Sequence, residues 1–467
     1  MSIPSWIQNA VFYQIFPDRF YNGNTENDPS NVKEWKEKPT FYSFFGGDIE
    51  GIIQKMDYLQ DLGVNAIYLN PIFLSPSPHG YNASDYLRID PKLGTEQNFK
   101  DFINLAHKRN MHVILDGVFN HTGRGFFAFA DILENGENSP YLDWYHIHHF
   151  PLHAFDEGKS ESYQAWFDIK SMPKLNTENP QVCEYIMQVI NYWLHLGVDG
   201  WRLDVPNEID DDQFWSRFQN EVKHINPNAY ILGEIWHAEP RWIQFFDGLM
   251  NYPFRDALLG LLNGEIDLVQ FIATLREITT IYPWENVQAM YVLLGSHDTE
   301  RLFTKLNGDL ARIKLAFMLQ FFFPGVPAVY YGDEIGMQGG KDPECRAGFI
   351  WDENQWNKDL RGWLKKLIQI RRNEAVLQQG CFAIPAYDAE RKLCIFERQL
   401  GNEKLILAVN FSEQEQTFQI DADTINRGVL EDIFSGKCQE GTGSGILIEL
   451  NALSGSLYRV HSIKEKK

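Results

Sequence analysis

Short β-rich runs alternate with amphipathic helical stretches along most of the 467 residues. Alternating strands and helices of this length predict a parallel sheet that is covered by helices. About eight such units, one of them weak near residues 248–252, predict an α/β fold, a closed (β/α)8 TIM barrel. The other predicted strands are 11–15, 66–69, 112–115, 200–203, 229–232, 288–294 and 328–330, and the predicted helices include 49–62, 97–109, 180–196 and 213–225.

Two segments do not fit this alternation. Residues 121–171 are too many for a strand-to-helix loop and are rich in aromatic residues and histidines, so we predict a subdomain inserted after the third strand. After a helix over 358–373 the pattern changes to short alternating runs, which predicts an antiparallel β-sandwich domain. We therefore expect a barrel over 1–120 and 172–380, an insertion over 121–171 and a C-terminal domain over 381–467, with strands at 394–398, 404–410, 417–420 and 446–450.

The charge of the chain limits its partners. Lys and Arg number 42 against 63 Asp and Glu, a net charge of −21. Nucleic acids and anionic membranes both require a basic surface, so we expect neither as a partner.

The N-terminus has no basic segment followed by an apolar run, and no stretch approaches the roughly 20 apolar residues of a membrane span. The five cysteines are odd in number and lack CxxC spacing, which predicts reduced thiols in a cytoplasmic protein.

Four acidic residues each follow an apolar run that is predicted to be a barrel strand. In this fold the strand ends meet at one face, where working residues lie. A single acid at a strand end is explained by turn formation. Four acids on the same face indicate a catalytic site instead. They are Asp116, Asp204, Glu234 and Asp298.

Asp204 and Glu234 follow neighbouring strands, which lie about 4.8 Å apart. Their carboxyls could then be about 5–5.5 Å apart, the separation found in retaining glycosidases. Arg202 points to the same side of its strand as Asp204 and would keep that carboxylate ionised, as a nucleophile requires. A proton donor must instead stay protonated, and a less charged pocket beside Trp236 would raise the pKa of Glu234.

Four short motifs together resemble the α-amylase family of glycoside hydrolases, in order and over essentially the whole chain. They are Asp-Gly-Val-Phe-Asn-His at 116–121, Gly-Trp-Arg-Leu-Asp-Val at 200–205, Gly-Glu-Ile-Trp at 233–236 and Ser-His-Asp-Thr at 296–299. The resemblance implies Asp204 as nucleophile, Glu234 as acid/base and Asp298 as the acid that holds the sugar hydroxyls. It also implies substrate contacts for Tyr81, Asp116, His121, Arg202 and His297, with Tyr81 stacked on the ring being cleaved.

Finer motifs narrow the resemblance. Met-Pro-Lys-Leu-Asn at 172–176 resembles the neopullulanase, cyclomaltodextrinase and maltogenic amylase group, although Pro206 stands where that group more often has Ala. Within the group, Trp236 matches an acceptor-side stacking residue. Asp342 and Arg346 match residues that hold donor-side sugars. The activity implied is hydrolysis of α-1,4 and α-1,6 bonds in maltooligosaccharides, pullulan, cyclodextrins and branched glucans.

Other functions remain open at this point. A 4-α-glucanotransferase or a dedicated oligo-1,6-glucosidase would carry the same catalytic residues. An inactive barrel or a pure glucan-binding module would not require both Asp204 and Glu234, so both are disfavoured.

Relatives with the Met-Pro-Lys-Leu-Asn motif usually carry an N-terminal β domain that narrows a partner's cleft. Here the first strand is predicted at 11–15, so we expect a monomer or homodimer with a cleft open to branched substrates. Val205 resembles the residue at that place in α-1,6-acting relatives.

One turn is rich in the oxygen ligands that calcium prefers. By composition alone it would be an ordinary Asn/Gly turn, but relatives carry a structural calcium site at matching positions. The implied ligands are Asn22, Asn24, Asn27, Asp28, Gly46 and Asp48.

The histidines at 146, 148, 149 and 153 lack structural zinc spacing and are expected to line the cleft. The chain has no Walker A or GxGxxG sequence, so no organic cofactor is expected.

Overall fold

The computed structural model describes residues 3–422, 428–441 and 445–461. Eight parallel strands form one sheet, and in chain order they are β1 (Phe12–Ile15), β2 (Ala66–Leu69), β3 (His112–Gly117), β4 (Gly200–Leu203), β5 (Tyr230–Gly233), β6 (Gly248–Leu249), β7 (Tyr291–Leu293) and β8 (Val326–Tyr330). Their order in the sheet is β6-β5-β4-β3-β2-β1-β8-β7. A parallel bridge between Met250 and Tyr291 joins the two outer strands and closes the ring. The predicted TIM barrel is therefore confirmed.

Amphipathic helices cover the outside of the barrel and bury their apolar stripes against it. Two of them begin in capping boxes, at Thr95 and at Asp267, which satisfy the first free N–H groups of each helix. The longer helices are Glu96–Lys108, Pro180–His195, Asp212–Ile225, Tyr252–Leu262, Leu268–Ile281, Leu310–Phe322 and Lys358–Asn373, and the shorter ones are Pro17–Phe20, Ile49–Gln54, Met56–Leu62, Trp284–Ala289, Leu302–Lys305 and Ala375–Gln379. None of the described helices is both long and apolar enough to cross a membrane.

Two element predictions were wrong in detail. The strand expected over 288–294 is shorter, because Gln288 and Ala289 end the helix Trp284–Ala289 and only Tyr291–Leu293 is extended. A short apolar run does not distinguish a buried helix from a buried strand. The single helix expected over 49–62 is two helices that meet at Lys55.

The segment between β3 and the helix Pro180–His195 lies over the carboxyl end of the barrel. It contains one α-helix, Phe127–Asn135, and three short 3-10 helices, Gly136–Asn138, Leu142–Trp144 and Trp166–Asp168. Phe129 packs edge-on against Tyr145 and Tyr163, with ring centroids 5.0 and 4.9 Å away, which gives the insertion an aromatic core of its own. A bridge between His121 and Lys174 ties its two ends together beside the strand ends.

The C-terminal part is an antiparallel β-sandwich, as predicted. Its strands are β9 (Cys381–Asp388), β10 (Leu393–Leu400), β11 (Glu403–Asn410), β12 (Gln416–Ile420), β13 (Val429–Asp432), β14 (Cys438–Glu440), β15 (Ile446–Leu450) and β16 (Ser454–His461). A six-stranded sheet, in the order β9-β10-β11-β16-β13-β14, faces a two-stranded sheet of β12 and β15, and apolar side chains from both fill the space between them. Of the predicted range, 423–427, 442–444 and 462–467 lie outside the described residues.

Candidate active site

The four acids identified from the sequence all lie at the carboxyl end of the barrel. Asp116 is the last residue but one of β3, and Asp204 and Glu234 directly follow β4 and β5. Asp298 is in the loop that follows β7. In a closed parallel barrel the strand ends form one rim, so residues far apart in sequence face a common cleft.

A single guanidinium lies at the centre of this group. Arg202 on β4 is completely buried. Its Nη1 is 2.8 Å from Asp116 Oδ1 and 2.9 Å from Asp204 Oδ1. Its Nη2 is 2.8 Å from Glu234 Oε1. An isolated buried charge would be very costly, and three surrounding carboxyls make this one tolerable.

The two candidate catalytic acids are buried, with Asp204 8% and Glu234 3% exposed. Burial raises the pKa of Glu234 to about 7, against the opposing effect of Arg202. Burial likewise raises the pKa of Asp204 above its ordinary value, and Arg202 again opposes the shift. One guanidinium thus faces three buried carboxyls, and Glu234, with its pKa raised to about 7, is suited to carry the proton that an acid catalyst donates.

A second set of side chains lies on the β7 side of the cleft. Tyr81 stacks on His297 with the ring centroids 5.4 Å apart, and its hydroxyl is 2.5 Å from His297 Nε2. Arg346 Nη2 lies 3.1 Å from Asp298 Oδ1 and 3.1 Å from Asp342 Oδ2. The structure therefore connects five residues that the sequence analysis named as site residues into one cluster, namely Tyr81, His297, Asp298, Asp342 and Arg346.

Trp236 and His121 flank the acids from other directions. Trp236 stacks on Tyr252 at 3.8 Å and remains 38% exposed, so its free face is open to a ligand. Its Nε1 donates to Glu234 Oε1 at 3.3 Å. His121 is buried beneath Trp166, and its Nε2 has no hydrogen-bond partner among the described residues. A buried donor or acceptor without a partner is suited to a ligand hydroxyl.

Sequence reasoning missed several residues that complete the site. Gln14 on β1 and Asn70 just after β2 connect His297 to Tyr81, and Tyr252 supports Trp236. Gln14 did give a signal, since a polar residue in a strand predicted to be buried needs a partner. No comparable signal marks Tyr252, which begins a helix in an ordinary apolar stretch.

The turn predicted to bind calcium does bring its six residues together. Asn22 Nδ2 donates to both oxygens of Asp28, at 2.8 and 3.0 Å, and Asp48 accepts from the N–H of Asn24 at 2.8 Å. The side-chain oxygens of Asn22 and Asn27 are buried without a partner. Gly46 has φ +79°, and a Cβ there would lie 2.3 Å from Asp28 Oδ1. Two unpaired amide oxygens beside carboxylates suit a hard cation. The six residues offer only two carboxylates, Asp28 and Asp48, so the other ligands would be amide and carbonyl oxygens; in the described parts of the chain no group of three or more His, Cys, Asp or Glu side chains is placed to hold a metal ion.

Comparison with known proteins agrees with this geometry. The model of the alpha amylase catalytic domain matches residues 14–379. The chain belongs to the α-amylase family. This family member is 45% identical over 418 residues to a cyclomaltodextrinase of Thermoanaerobacter pseudethanolicus, covering 88% of this chain and 72% of the relative. It is 40% identical to neopullulanase 2 of Thermoactinomyces vulgaris, covering 97% and 78%. The resemblance stated from the motifs is confirmed, and the protein is a glycoside hydrolase.

Solved structures agree with the family assignment. The cyclic α-maltosyl-(1→6)-maltose hydrolase of Arthrobacter globiformis superposes with a TM-score of 0.90 at 36% identity, covering 98% of this chain and 99% of that one. The debranching enzyme of Nostoc punctiforme gives 0.87 at 36% identity, with the same coverage. This α-amylase family member therefore has the barrel and the β-sandwich of both enzymes.

Proposed function

We propose that this α-amylase family member hydrolyses α-glucosidic bonds in maltooligosaccharides and related starch-derived glucans with retention of configuration. The observation that carries this proposal is the sharing of one buried guanidinium by Asp204 and Glu234. Both carboxyls are thereby held close, as in retaining enzymes, whose pair is about 5–5.5 Å apart. The relatives named above are hydrolases, which favours hydrolysis over glucanotransfer.

The mechanism assigns one role to each acid. Glu234 gives its proton to the glycosidic oxygen as the bond to the anomeric carbon breaks, and Asp204 forms the glycosyl ester. Water then attacks the anomeric carbon, Glu234 takes the water proton, and Asp204 leaves as a carboxylate. Arg202 Nη1, at 2.9 Å from Asp204, stabilises that carboxylate. The backbone N–H of Val205 donates to Glu234 at 3.0 Å and orients the acid.

Substrate positioning falls to the cluster around Asp298. Its carboxylate faces the cleft while Arg346 and His297 hold it from behind, each at 3.1 Å. A fixed carboxylate can accept hydrogen bonds from two adjacent sugar hydroxyls, and such bonds strengthen as the ring distorts toward the transition state. We assign Tyr81 to stacking against the same sugar, and Asp342 and Arg346 to the donor-side end of the cleft. Asp116 holds Arg202 and Tyr81 in place.

We further propose that branched and α-1,6-linked maltooligosaccharides are good substrates. Trp236 presents one open face on the acceptor side, supported from behind by Tyr252. Val205, next to the nucleophile, resembles the residue at that place in α-1,6-acting relatives. Its φ of 37° is strained for a β-branched residue, so the surrounding site holds it in this conformation. The two structural relatives covered at 99% are named as a hydrolase of an α-(1→6)-containing maltoside and as a debranching enzyme.

This substrate preference is tested by comparing the specificity constants of two substrates. A singly branched maltooligosaccharide is expected to have a kcat/KM at least equal to that of a cyclodextrin, because kcat/KM reports differential binding of the transition state. The initial rate of product formation from each substrate, measured at a substrate concentration well below KM, gives both values. A cyclodextrin preference of about tenfold, or about 1.4 kcal/mol in the barrier, would contradict the proposal.

We propose that the turn around Asn22 and Asp28 holds a structural calcium ion. The six residues would enclose it with amide, carboxylate and carbonyl oxygens; its charge would offset the carboxylates of Asp28 and Asp48. The turn packs against the first turn of the helix Ile49–Gln54, where the Asp48 side chain accepts a hydrogen bond from the N–H of Gly51. The ion would therefore stabilise the loops beside β1 without touching the acids.

Chelation is expected to lower Tm before it lowers activity at moderate temperature. An ion that binds only the native state stabilises it by about 2.7 kcal/mol at a concentration of about 100 Kd. Thermal unfolding with calcium and with EDTA measures the shift. Asn27→Ala should remove most of the calcium response, whereas Asn402→Ala, in an exposed hairpin turn, should retain it. Equal Tm values with and without calcium, and no metal by elemental analysis, would disprove the site.

We also propose that the protein acts in the cytoplasm. All five cysteines are free thiols, as expected for a reducing compartment. A relative from Bacillus subtilis, 40% identical over 415 residues, is named an intracellular maltogenic amylase.

A further inference from the structure

Gln14 is a buried polar residue that the mechanism above does not use. It lies on β1, where every residue is buried, and its side chain is completely inaccessible. Its Nε2 is 3.0 Å from Asn70 Oδ1 and 2.8 Å from His297 Nδ1. A primary amide has two N–H protons, so both contacts can be satisfied at once.

The tyrosine at the far end of this network decides where the protons lie. The Tyr81 hydroxyl is 2.8 Å from Asp116 Oδ2, 2.9 Å from Asn70 Nδ2 and 2.5 Å from His297 Nε2. It has one proton to donate. Asp116 is bonded to the Arg202 guanidinium through its other oxygen and can only accept, so the tyrosine proton goes to Asp116. Asn70 and His297 must then both donate to the tyrosine oxygen.

The remaining orientations follow without a free choice. Since Asn70 presents its N–H group to Tyr81, it presents its oxygen to Gln14, and Gln14 must donate through Nε2. His297 carries its proton on Nε2, which leaves Nδ1 as an acceptor for the second proton of Gln14. The opposite amide orientations would leave Tyr81 facing three acceptors with a single proton. Only one assignment satisfies each of these contacts, and it leaves Gln14 Oε1 without a hydrogen-bond partner among the described residues.

We propose that Gln14 is a positioning residue that holds His297 in the tautomer with its proton on Nε2. That proton lies between the Tyr81 hydroxyl and the Asp298 carboxylate, whose Oδ2 is 3.1 Å from Nε2. In the other tautomer a nitrogen lone pair would face the Asp298 carboxylate, and the two would repel each other. In a histidine the site of the proton is set by the hydrogen bond that the second nitrogen makes. The catalytic consequence rests on the function proposed above, whereas the tautomer itself does not.

The tautomer can be observed directly in the full-length protein. With 15N-labelled histidine, long-range 1H–15N spectra distinguish a protonated from an unprotonated ring nitrogen, and loss of signals in His297→Gln assigns the residue. The native chain is expected to show a protonated Nε2 and an unprotonated Nδ1. Gln14→Glu replaces the donor by an acceptor of the same shape and should move a proton onto Nδ1. An unprotonated Nδ1 in Gln14→Glu, or a protonated Nδ1 in the native chain, would overturn the proposal.

A second variant keeps the proposal testable if Gln14→Glu does not fold. Gln14→Met keeps the side-chain length but removes the donor, so kcat is expected to fall about tenfold or more with KM changed by less than about threefold. The matched control is Gln320→Met. Gln320 is equally buried and also donates two hydrogen bonds, to backbone oxygens of Val292 and Ala328, but away from the acids.

The control separates positioning from stability. Gln320→Met should lower Tm while leaving kcat and the His297 spectrum at native values. A kcat for Gln14→Met within about threefold of native, or a loss of kcat in Gln320→Met as large as that in Gln14→Met, would overturn a positioning role. If the native protein hydrolyses no α-glucan, the proposed function fails, but the spectra still decide whether Gln14 sets the tautomer.

Discussion

Asp204→Asn is expected to lower kcat on maltooligosaccharides by about 10⁴-fold or more, because the amide cannot form the glycosyl ester. Asparagine has the same shape and can still pack beside Arg202, so the fold and glucan binding should persist. Steady-state rates, together with binding of a maltooligosaccharide by calorimetry, separate the two effects. Asp101→Asn, on the exposed side of the helix Glu96–Lys108, is the control and should keep native kcat.

The stereochemistry of the product tests the same assignment independently. Displacement by Asp204 and then by water inverts the anomeric carbon twice, so the first product should be the α-anomer. Proton NMR in the first minutes, before mutarotation, reads the anomer directly. A β-anomer would exclude the retaining mechanism, and substantial activity in pure Asp204→Asn would exclude this nucleophile.

The second large effect concerns Glu234 and pH. Because burial raises the pKa of Glu234 to about 7, the acid form that donates the proton predominates below that pH and is lost above it. On this basis kcat/KM, which reports the free enzyme, should fall about tenfold per pH unit well above pH 7. Buffers of constant ionic strength and a slow, acid-dependent substrate give the profile. A profile that stays flat to pH 9 would contradict the assignment of Glu234.

Removal of this acid should affect substrates unequally. Glu234→Gln is expected to lower kcat on maltooligosaccharides by about 10²–10⁴-fold, the usual contribution of general acid–base catalysis. The first step on an α-maltosyl fluoride should be affected much less, because fluoride leaves without protonation. The basic limb of the pH profile should also disappear. Glu277→Gln, at an exposed position of the helix Leu268–Ile281, is the control. Equal losses on both substrates would argue against an acid role.

The barrel and the main acids were predictable because their signals are local. Alternating strand and helix periodicity needs no knowledge of distant residues, and parallel strands of a barrel necessarily end on one face. Asp116, Asp204 and Glu234 could therefore be placed together from their positions at strand ends. The four motifs then added the family, which the comparisons confirm.

Other features depend on contacts that no short stretch of sequence contains. The pKa of Glu234 results from burial by many elements and from Arg202 on a neighbouring strand. Tyr252 supports Trp236 only because the barrel brings β6 beside β5. The end of the helix Trp284–Ala289 was also misjudged, since its apolar run fits a strand equally well until its neighbours are known.

The sequence by itself therefore determined the fold, the family and which acids share a face, since periodicity and strand ends express these locally. Only the tertiary structure decided which hydrogen-bond network holds them. Gln14 and His297 are 283 residues apart, and their 2.8 Å contact exists because the closing of the barrel places β1 close to the loop after β7. A proton position set by such a contact depends on the exact geometry of three side chains, and that geometry is a property of the folded chain.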